Sequence, residues 1–413
     1  MKDTELYSQI LGINSPWFVA DIEMKMEEEE IFVHLAYDNL IAQWPCPECG
    51  APCKTYDTRE RRIWRHLDSC QLKTFITASL PRVSCKEHGV RTVRVPWSEP
   101  NSRFTRLFEH MAILMLQSTQ VQSKAAVLLR LSPGQVHDIM HRAVSRGLSR
   151  RDTGEEITHL SLDEKSFRQG HRYVSVLGDP NGKRVLDMIE KRTQEVTEKL
   201  LRESLTHSQR TKVKSVSMDM WPAFMQAVNA KLPSADIVHD RFHVAKYLNT
   251  AVDNTRRSEC RKLSKREDGS LKRSKYLWLR APERMTEKQC EAFKRLKDLD
   301  LDTAKVWAFK ESFRHFFQCK TVIEAHTFFF NWYEAALLLK NLHLTKVAQM
   351  LNRHIDGLLA YVRHKVTNAS AEGLNSQIQQ IKSNAKGFRR FVNFRIAVLF
   401  FLGKLDLSPQ TSP

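Results

Sequence analysis

Leu160-Ser161-Leu162-Asp163 and Val216-Ser217-Met218-Asp219 each set an aspartate directly after an apolar, strand-like segment. Two carboxylates brought to one sheet edge repel, and a divalent cation between them removes that penalty. Mg²⁺ prefers such oxygen ligands and keeps waters for a reaction. Taken singly, each aspartate is more simply a turn or cap residue, and Asp219, just before Trp221-Pro222, suits an N-cap. Their paired context is what favours chemistry. A third acid is expected from a later helix. Glu372, Asn375, Gln379 and Lys382 recur at helical spacing on one face, opposite Leu374, Ile378 and Ile381. An acid, amides and a lysine together suit a metal beside a phosphate backbone, although a solvated amphipathic face has the same pattern. Glu164 competes with Asp163 as first ligand.

A second constellation is made of thiols. Of eight cysteines, five lie between Cys46 and Cys85, and the rest are scattered at Cys260, Cys290 and Cys319. Clustering of this kind favours a metal over disulfides. Cys46-Pro47-Glu48-Cys49-Gly50 is a zinc knuckle, and Cys85-Lys86-Glu87-His88-Gly89 repeats its spacing and its trailing glycine. Four protein ligands, Cys46, Cys49, Cys85 and His88, leave no open position, so the zinc would be structural. Cys53 and Cys70 are substitutes for these positions. The alternative is a set of free buried thiols. Ile63, Trp64, Phe75, Ile76 and Val83 suit short strands between the knuckles, in a zinc-ribbon domain over residues 1–98 that needs its metal to fold.

The acids need a sheet to hold them. Ile157 to Leu162, Tyr173 to Leu177 and Val185 to Ile189 read as a three-strand meander, with an Asn-Gly turn signal at 181–182. A helix from about Thr193 to Ser204 follows, then strands at Val213 to Met218 and Ala235 to Val238, with Pro222 opening a helix between them. This order is that of an RNase H-like mixed sheet, in which the first and fourth strands are neighbours. The expected core spans 153–250 and 360–404, with a tail at 405–413.

Residues 99–152 read as a helix-turn-helix. Phe104, Leu107, Phe108, Met111, Met115 and Leu116 follow helical spacing, and a short helix holds Val121, Ala125, Ala126, Leu128 and Leu129. Ser132-Pro133-Gly134-Gln135 carries an N-cap, a proline at the first helical position and a capping box. The third helix buries Val136, Ile139, Met140 and Ala143 and ends at Gly147. Its outer face, with Gln135, His137, Asp138, His141, Arg142 and Arg146, suits DNA recognition, or else an ordinary solvated face.

The 413-residue chain has 65 Lys and Arg against 47 Asp and Glu, a net charge of +18, and is 42% hydrophobic. That balance points to a polyanionic partner through counterion release, against a plain basic protein with no such role or, more weakly, an anionic membrane; with the helix-turn-helix the partner expected is double-stranded DNA. No apolar run approaches the length of a membrane span, and Met1 to Ile10 does not read as a secretion signal, so a cytoplasmic, nucleoid-associated bacterial protein is expected. Residues 251–359 read as an all-α, basic insertion. Its early cluster, including Arg256 and Arg257, suits phosphate contact. Trp278, Trp307 and Trp332 suit a core, with base binding near a cut as the alternative.

Much of the chain resembles the ISL3 insertion-sequence transposases. The likeness lies in Cys46-Pro47-x-Cys49-Gly50, Trp64-Arg65-His66-Leu67-Asp68, Pro81-Arg82-Val83-x-Cys85 through Gly89, Val95-Pro96-Trp97 and Ser102-Arg103-Phe104-Thr105. It continues in Leu162-Asp163-Glu164, Asp219-Met220-Trp221-Pro222, His239-Asp240-Arg241-Phe242-His243, Glu372-Gly373-x-Asn375 and Ala385-x-Gly387-Phe388-Arg389 through Asn393-Phe394. The resemblance implies a DDE triad of Asp163, Asp219 and Glu372 on Mg²⁺ or Mn²⁺, with Asp240, His243 and Asn375 in support. It also implies binding to the inverted repeats of the protein's own element and self-association in a synaptic complex. Lys382, Lys386 and Arg389 would contact DNA. His88 stands where a cysteine often closes the ribbon and remains a competent ligand. Three other readings compete: a zinc-dependent DNA-binding regulator, an inactive transposase copy, and an RNase H-like nuclease without strand transfer.

Overall fold

A computed structural model of the protein describes residues 2–38, 43–168, 172–265, 267–365 and 369–409. The chain divides into two compact units, residues 1–151 with 405–413, and residues 152–404.

The first unit opens with α1 (Asp3–Leu11), β1 (Trp17–Lys25) and β2 (Glu30–Tyr37). Then come β3 (Gln43–Pro45), β4 (Pro52–Thr58), β5 (Arg62–Arg65), β6 (Lys73–Ala78), β7 (Pro81–Cys85) and β8 (Gly89–Thr92). They form two four-stranded sheets, β1-β2-β6-β5 and β3-β4-β7-β8. Alternation in β2 turns Ile31, Val33 and Leu35 inward. Trp17, Trp44, Trp64 and Trp97 meet edge to face or tilted, with ring centroids 5.0 to 5.6 Å apart. The region read as a lone zinc ribbon thus carries an additional sheet, because β2 pairs in parallel with β6. That pairing joins residues about 40 apart in the chain and left no local signal.

Three helices complete the first unit: α2 (Arg106–Thr119), α3 (Gln122–Leu128) and α4 (Pro133–Ser149). The Arg65 backbone bonds Arg103 and Thr105, and the buried His66 ring meets Thr105 Oγ1 at 2.9 Å. Thr105 also caps α2, so the Trp64-to-Asp68 motif fastens the sheet to the helices. Burial, then the nearby Arg65 charge, pushes the His66 pKa down to about 4. The inner face of α2 is Phe108, Glu109, Ala112, Ile113 and Leu116, whereas Leu107 and Met111 are exposed. Apolar residues occupy two faces of α2, and the face bearing Glu109 is the one that packs. The expected capping box at Ser132 and Gln135 is present. Gly147 lies inside α4 rather than at its end, because Leu405 packs there: a Cβ would stand 2.5 Å from that side chain. Residues 405–409, read as a tail, are therefore part of this unit.

The second unit begins with β9 (His159–Arg168), β10 (Arg172–Asp179) and β11 (Arg184–Glu190). Helices α5 (Gln194–Ser204) and α6 (His207–Lys212) lead to β12 (Ser215–Met218), and α7 (Pro222–Lys231) to β13 (Asp236–His239). The sheet order is β11-β10-β9-β12-β13. The first three strands are antiparallel, and β12 runs parallel to both β9 and β13. This is the expected RNase H-like mixed sheet. The β10–β11 turn is a four-residue loop with its positive φ at Lys183, and the Asp179 carboxylate accepts from Gly182 N–H.

The remaining helices are α8 (Arg241–Ser264), α9 (Lys275–Leu279), α10 (Glu287–Lys297), α11 (Asp302–Ser312), α12 (Val322–Leu338), α13 (Leu342–Arg353), α14 (Ile355–His364), α15 (Ala369–Asn384) and α16 (Phe391–Leu402). Trp278, Trp307 and Trp332 are 0%, 8% and 5% exposed in one apolar cluster with Phe293, Phe313 and Phe329. They are core, as preferred from sequence. The expected boundaries at 250 and 360 fall within α8 and α14, which pass from the sheet into the helical part without a break. Arg395 of α16 grips Asp187 of β11 through two hydrogen bonds of 2.6 and 2.7 Å. Arg363 and His364 of α14 meet Asp236 of β13 at 2.7 Å each.

Gly357 marks how closely α14 lies on the sheet, since a Cβ there would come within 2.3 Å of the buried His239 ring. Gly→Ala in a helix ordinarily gains about 1 kcal/mol, whereas overpacking a core costs roughly 1–3 kcal/mol. Gly357→Ala is therefore expected to lower the urea midpoint. An unchanged or raised midpoint would contradict this packing.

Candidate functional site

The register of β9 and β12 sets the acidic site. Leu162 is paired with Met218, so the next residues, Asp163 and Asp219, stand at the same level on neighbouring parallel strands. β12 ends there, while β9 runs on, and Asp163 is opposite Val176 of β10. Each carboxylate has donors from a distant helix. Asp163 Oδ2 accepts from the Asn375 amide of α15 and lies 3.8 Å from Lys165 Nζ. Asp219 meets His243 Nδ1 at 3.2 Å and the Tyr247 hydroxyl at 3.3 Å, both on α8. Burial, then the Asp219 charge, pushes the Tyr247 phenol upward. Asp219 is not a helix cap, because α7 is capped by Trp221 without a side-chain bond. Asp240 does cap α8, accepting from Phe242 N–H at 2.9 Å, which gives it a structural part. Both acids keep about three-tenths of their surface in solvent. Two half-exposed carboxylates at one level suit a hard cation that retains waters. Glu372 falls in the first turn of α15, but its side chain lies outside the described residues. Glu164 is turned to Arg192.

The zinc centre lies in the first unit. The ligand atoms of Cys46, Cys49, Cys85 and His88 all fall within 4.8 Å of one another. Cys49 Sγ is 3.7 Å from Cys85 Sγ, Cys85 Sγ is 3.6 Å from His88 Nδ1, and Cys46 Sγ is 4.0 Å from that nitrogen. Zn–S bonds of about 2.3 Å in a tetrahedron separate sulfurs by roughly 3.8 Å, so the cluster fits zinc. Gly50 and Gly89 take φ of +75° and +65°, which closes each knuckle tightly. The backbone N–H of His88, then its ring and the Glu87 N–H, hold the Cys85 thiol down at about 6. Cys53 instead points at the Ala51 carbonyl, and Cys70 is exposed outside the cluster.

The expected DNA face of α4 is narrower than the sequence suggests. Buried Glu109 accepts from Arg142 Nε at 2.9 Å and from Arg146 at 3.0 Å, and Arg146 also binds Glu99 and the Leu407 carbonyl. Arg146 is buried and Arg142 half-buried, so their charges are neutralised within the domain rather than offered to phosphate. Gln135 and His141 are exposed and His137 is half-buried. In the second unit, Arg256 folds onto Asp253, while Arg257 bonds the same carboxylate and stays exposed. Lys382 Nζ bonds the Ser166 carbonyl at 2.7 Å, and Lys386 and Arg389 are exposed.

Residues 160–398 match a family profile described as "Transposase", that of the ISL3 DDE domain. The chain belongs to the ISL3 transposase family. Residues 42–88 match the zinc-finger of transposase IS204/IS1001/IS1096/IS1165, and residues 93–144 the helix-turn-helix domain of transposase family ISL3. The transposase for insertion sequence element IS1001 of Bordetella parapertussis is 29% identical over 353 residues, 83% of this chain and 85% of that protein. The transposase for insertion sequence element IS1557 of Mycobacterium tuberculosis (strain CDC 1551 / Oshkosh) is 24% identical over 419 residues, 94% and 93% of the two chains. Membership makes the chain a DNA-cleaving enzyme in general terms, with a structural zinc ribbon and a DNA-binding helix-turn-helix. Among the described residues no helix is long and apolar enough to cross a membrane.

Tyr247 and Arg192 did not stand out in the sequence. Tyr247 is one helical turn beyond His243, a spacing that puts both on one face of α8. Arg192 carries no local signal, since its partners Glu164, Tyr173 and Trp221 come from separate elements.

Purified protein is expected to carry one zinc per chain by elemental analysis. Cys85→Ser should lose it and Cys70→Ser should keep it. The reverse pattern would remove the assigned ligand set.

Proposed function

We propose that the protein is a DDE transposase that cuts DNA at the inverted repeats of its own element and joins the freed ends to target DNA. The observation that carries this reading is the level placement of Asp163 and Asp219 at neighbouring parallel strands, each carboxylate accepting a hydrogen bond from a helix distant in the chain, from Asn375 and from Tyr247.

In this reading Asp163, Asp219 and Glu372 hold Mg²⁺. When bound, the metal supplies positive charge that favours deprotonation of the attacking hydroxyl and eases departure of the leaving oxygen. Asn375 fixes the Asp163 carboxylate, and the Tyr247 hydroxyl fixes that of Asp219 with the His243 ring beside it, so both are preorganised. In the first step water attacks the phosphodiester at the element end. A new P–O bond forms, the P–O3′ bond breaks, and the element keeps a 3′-hydroxyl. In the second step that hydroxyl attacks a target phosphodiester, and the displaced target strand leaves with its own 3′-hydroxyl. In this second step one phosphodiester is made for the one broken, so joining requires no nucleotide cofactor.

Recognition of the repeats falls to the exposed face of α4 through Gln135, His137 and His141. Arg257, Lys386 and Arg389 contact phosphates, and Lys382 braces α15 against β9. Pairing of two ends in one complex calls for self-association. Replacing any one phosphate-binding side chain by alanine should lower the slope of log affinity against log salt by about 0.9.

The test is incubation with Mg²⁺, a labelled duplex carrying the flanking terminal repeat, and a supercoiled target plasmid. Wild type should cut at the repeat end and yield joined product. Asp163→Ala and Asp219→Asn should bind the repeat normally and lose at least about 10²-fold in cleavage rate, the scale of removing one electrostatic catalytic group. Cleavage by Asp219→Asn at the wild-type rate would refute the acid assignment. Cutting without joining would leave a nuclease, and binding without cutting, alike in all three proteins, a regulator or an inactive copy.

A second expected outcome separates the α4 residues. Gln135→Ala should weaken repeat binding and leave stability unchanged. Arg146→Ala should lower the melting temperature, because it removes the guanidinium that bonds Glu99 and leaves buried Glu109 with Arg142 alone. A stable Arg146→Ala protein with a lowered salt slope would return Arg146 to the DNA face.

A further inference from the structure

The acidic site has an unusual neighbour. Trp221 is two residues past Asp219, yet 38% of its surface is exposed. Tryptophan is highly buried on average, and the other tryptophans of this unit are all core. Trp221 is held rigidly. Its indole N–H donates to the Arg192 carbonyl at 3.3 Å, and the Arg192 guanidinium lies 4.3 Å from the Trp221 ring. The same guanidinium is 4.4 Å from the Tyr173 ring and pairs with Glu164, the residue next to Asp163. One cation thus ties two aromatic rings to both strands that carry the candidate acids. Its carbonyl fixes the indole and its guanidinium fixes the ring plane, so the exposed indole surface is preorganised.

We propose that Trp221, held by Arg192, is a stacking platform for an unpaired base next to the phosphodiester being cut. The inference rests on Asp163 and Asp219 being the strand-cutting site. A phosphate drawn down to two carboxylates at a sheet edge pulls its strand out of the regular duplex, and the neighbouring base loses its stack. Two residues of chain span at most about 7 Å, and successive nucleotides rise about 3.4 Å per step. The indole is therefore within one or two nucleotides of the scissile phosphate. A ring face backed by a guanidinium suits any base, because each has a π surface. Stacking of this kind is tolerant of sequence, so the platform sets where along the strand the cut falls and leaves repeat recognition to α4.

The experiment uses the full-length protein without Mg²⁺ and a short oligothymidylate carrying one 2-aminopurine. Wild type should bind it and quench the 2-aminopurine fluorescence. Trp221→Ala should bind it about 10- to 100-fold more weakly with the quenching lost, the effect of removing one stacking ring. Trp221→Phe should keep most of both. Affinity for a fully paired duplex should change by less than about twofold in either variant, since paired bases are already stacked. Equal quenching and affinity in wild type and Trp221→Ala would overturn the platform, as would an equal loss on the paired duplex or a wild type that leaves the fluorescence unchanged. Far-UV melting of Trp221→Ala checks folding, and an unfolded variant passes the decision to the Trp221→Phe and Trp221→Leu pair, whose side chains differ in π character but not in apolarity. Because this readout involves no cleavage, a wild type that quenches but never cuts repeat DNA would sink the transposition reading alone.

Discussion

Parallel pairing of β9 with β12 brings Asp163 and Asp219 together, and the rest of the second unit follows from it. A parallel pair needs a crossover connection, here supplied by α5 and α6 after the β9–β10–β11 meander. A slip of one residue between the two strands would turn each side chain to the opposite face and separate the acids. The register is held by buried apolar residues on either side, Leu160, Leu162, Val216 and Met218. Around that pair the site is assembled from far along the chain: Tyr247 arrives from 28 residues beyond Asp219, and Asn375 from 212 residues beyond Asp163. The helices bearing them are thereby fixed in place relative to the sheet.

The first unit is built around a different constraint. Its α2–α4 packing is partly ionic, with Glu109 buried between two arginines. Breaking a buried pair by removing one partner costs more than the pair itself contributes. This makes the interface intolerant of single changes and specific in its geometry. Zinc has an equivalent effect on the β3-β4-β7-β8 sheet, whose strands are short and whose core cysteines would otherwise be unpartnered thiols.

What could be read from the sequence was what is local. The knuckles at Cys46 and Cys85, the capping box at Ser132 and the strand-then-aspartate segments each contain their own signal within a few residues, and the strand order followed from them. Burial is not local, and there the sequence misled. Arg142 and Arg146 look like a basic outer face until Glu109, on another helix, is seen between them. Leu107 and Met111 fit a helical stripe as well as Phe108 and Ala112 do, and only packing chooses. The parallel β2–β6 pairing and the Arg192 interactions join distant segments, so periodicity could not reveal them. The interrupted boundaries at 250 and 360 have the same origin, since a helix pattern does not record which neighbour each turn touches.

The return of residues 405–409 to α4 has a consequence for synthesis. The carbonyl of Leu407 that receives Arg146 lies 261 residues downstream of it. At ribosomal speeds of about 5–20 residues per second, α4 waits on the order of tens of seconds for that partner. During that interval the nascent chain has its zinc ribbon and α2–α4 in hand, but Gly147 faces an empty seat where Leu405 will settle. The DNA-binding half of the protein thus closes only after the cutting half has been made. A ribosome that stalls or a message that is cut short would release a product whose α4 is incompletely packed, so the order of translation reserves a fully packed helix-turn-helix for chains that also carry the second unit.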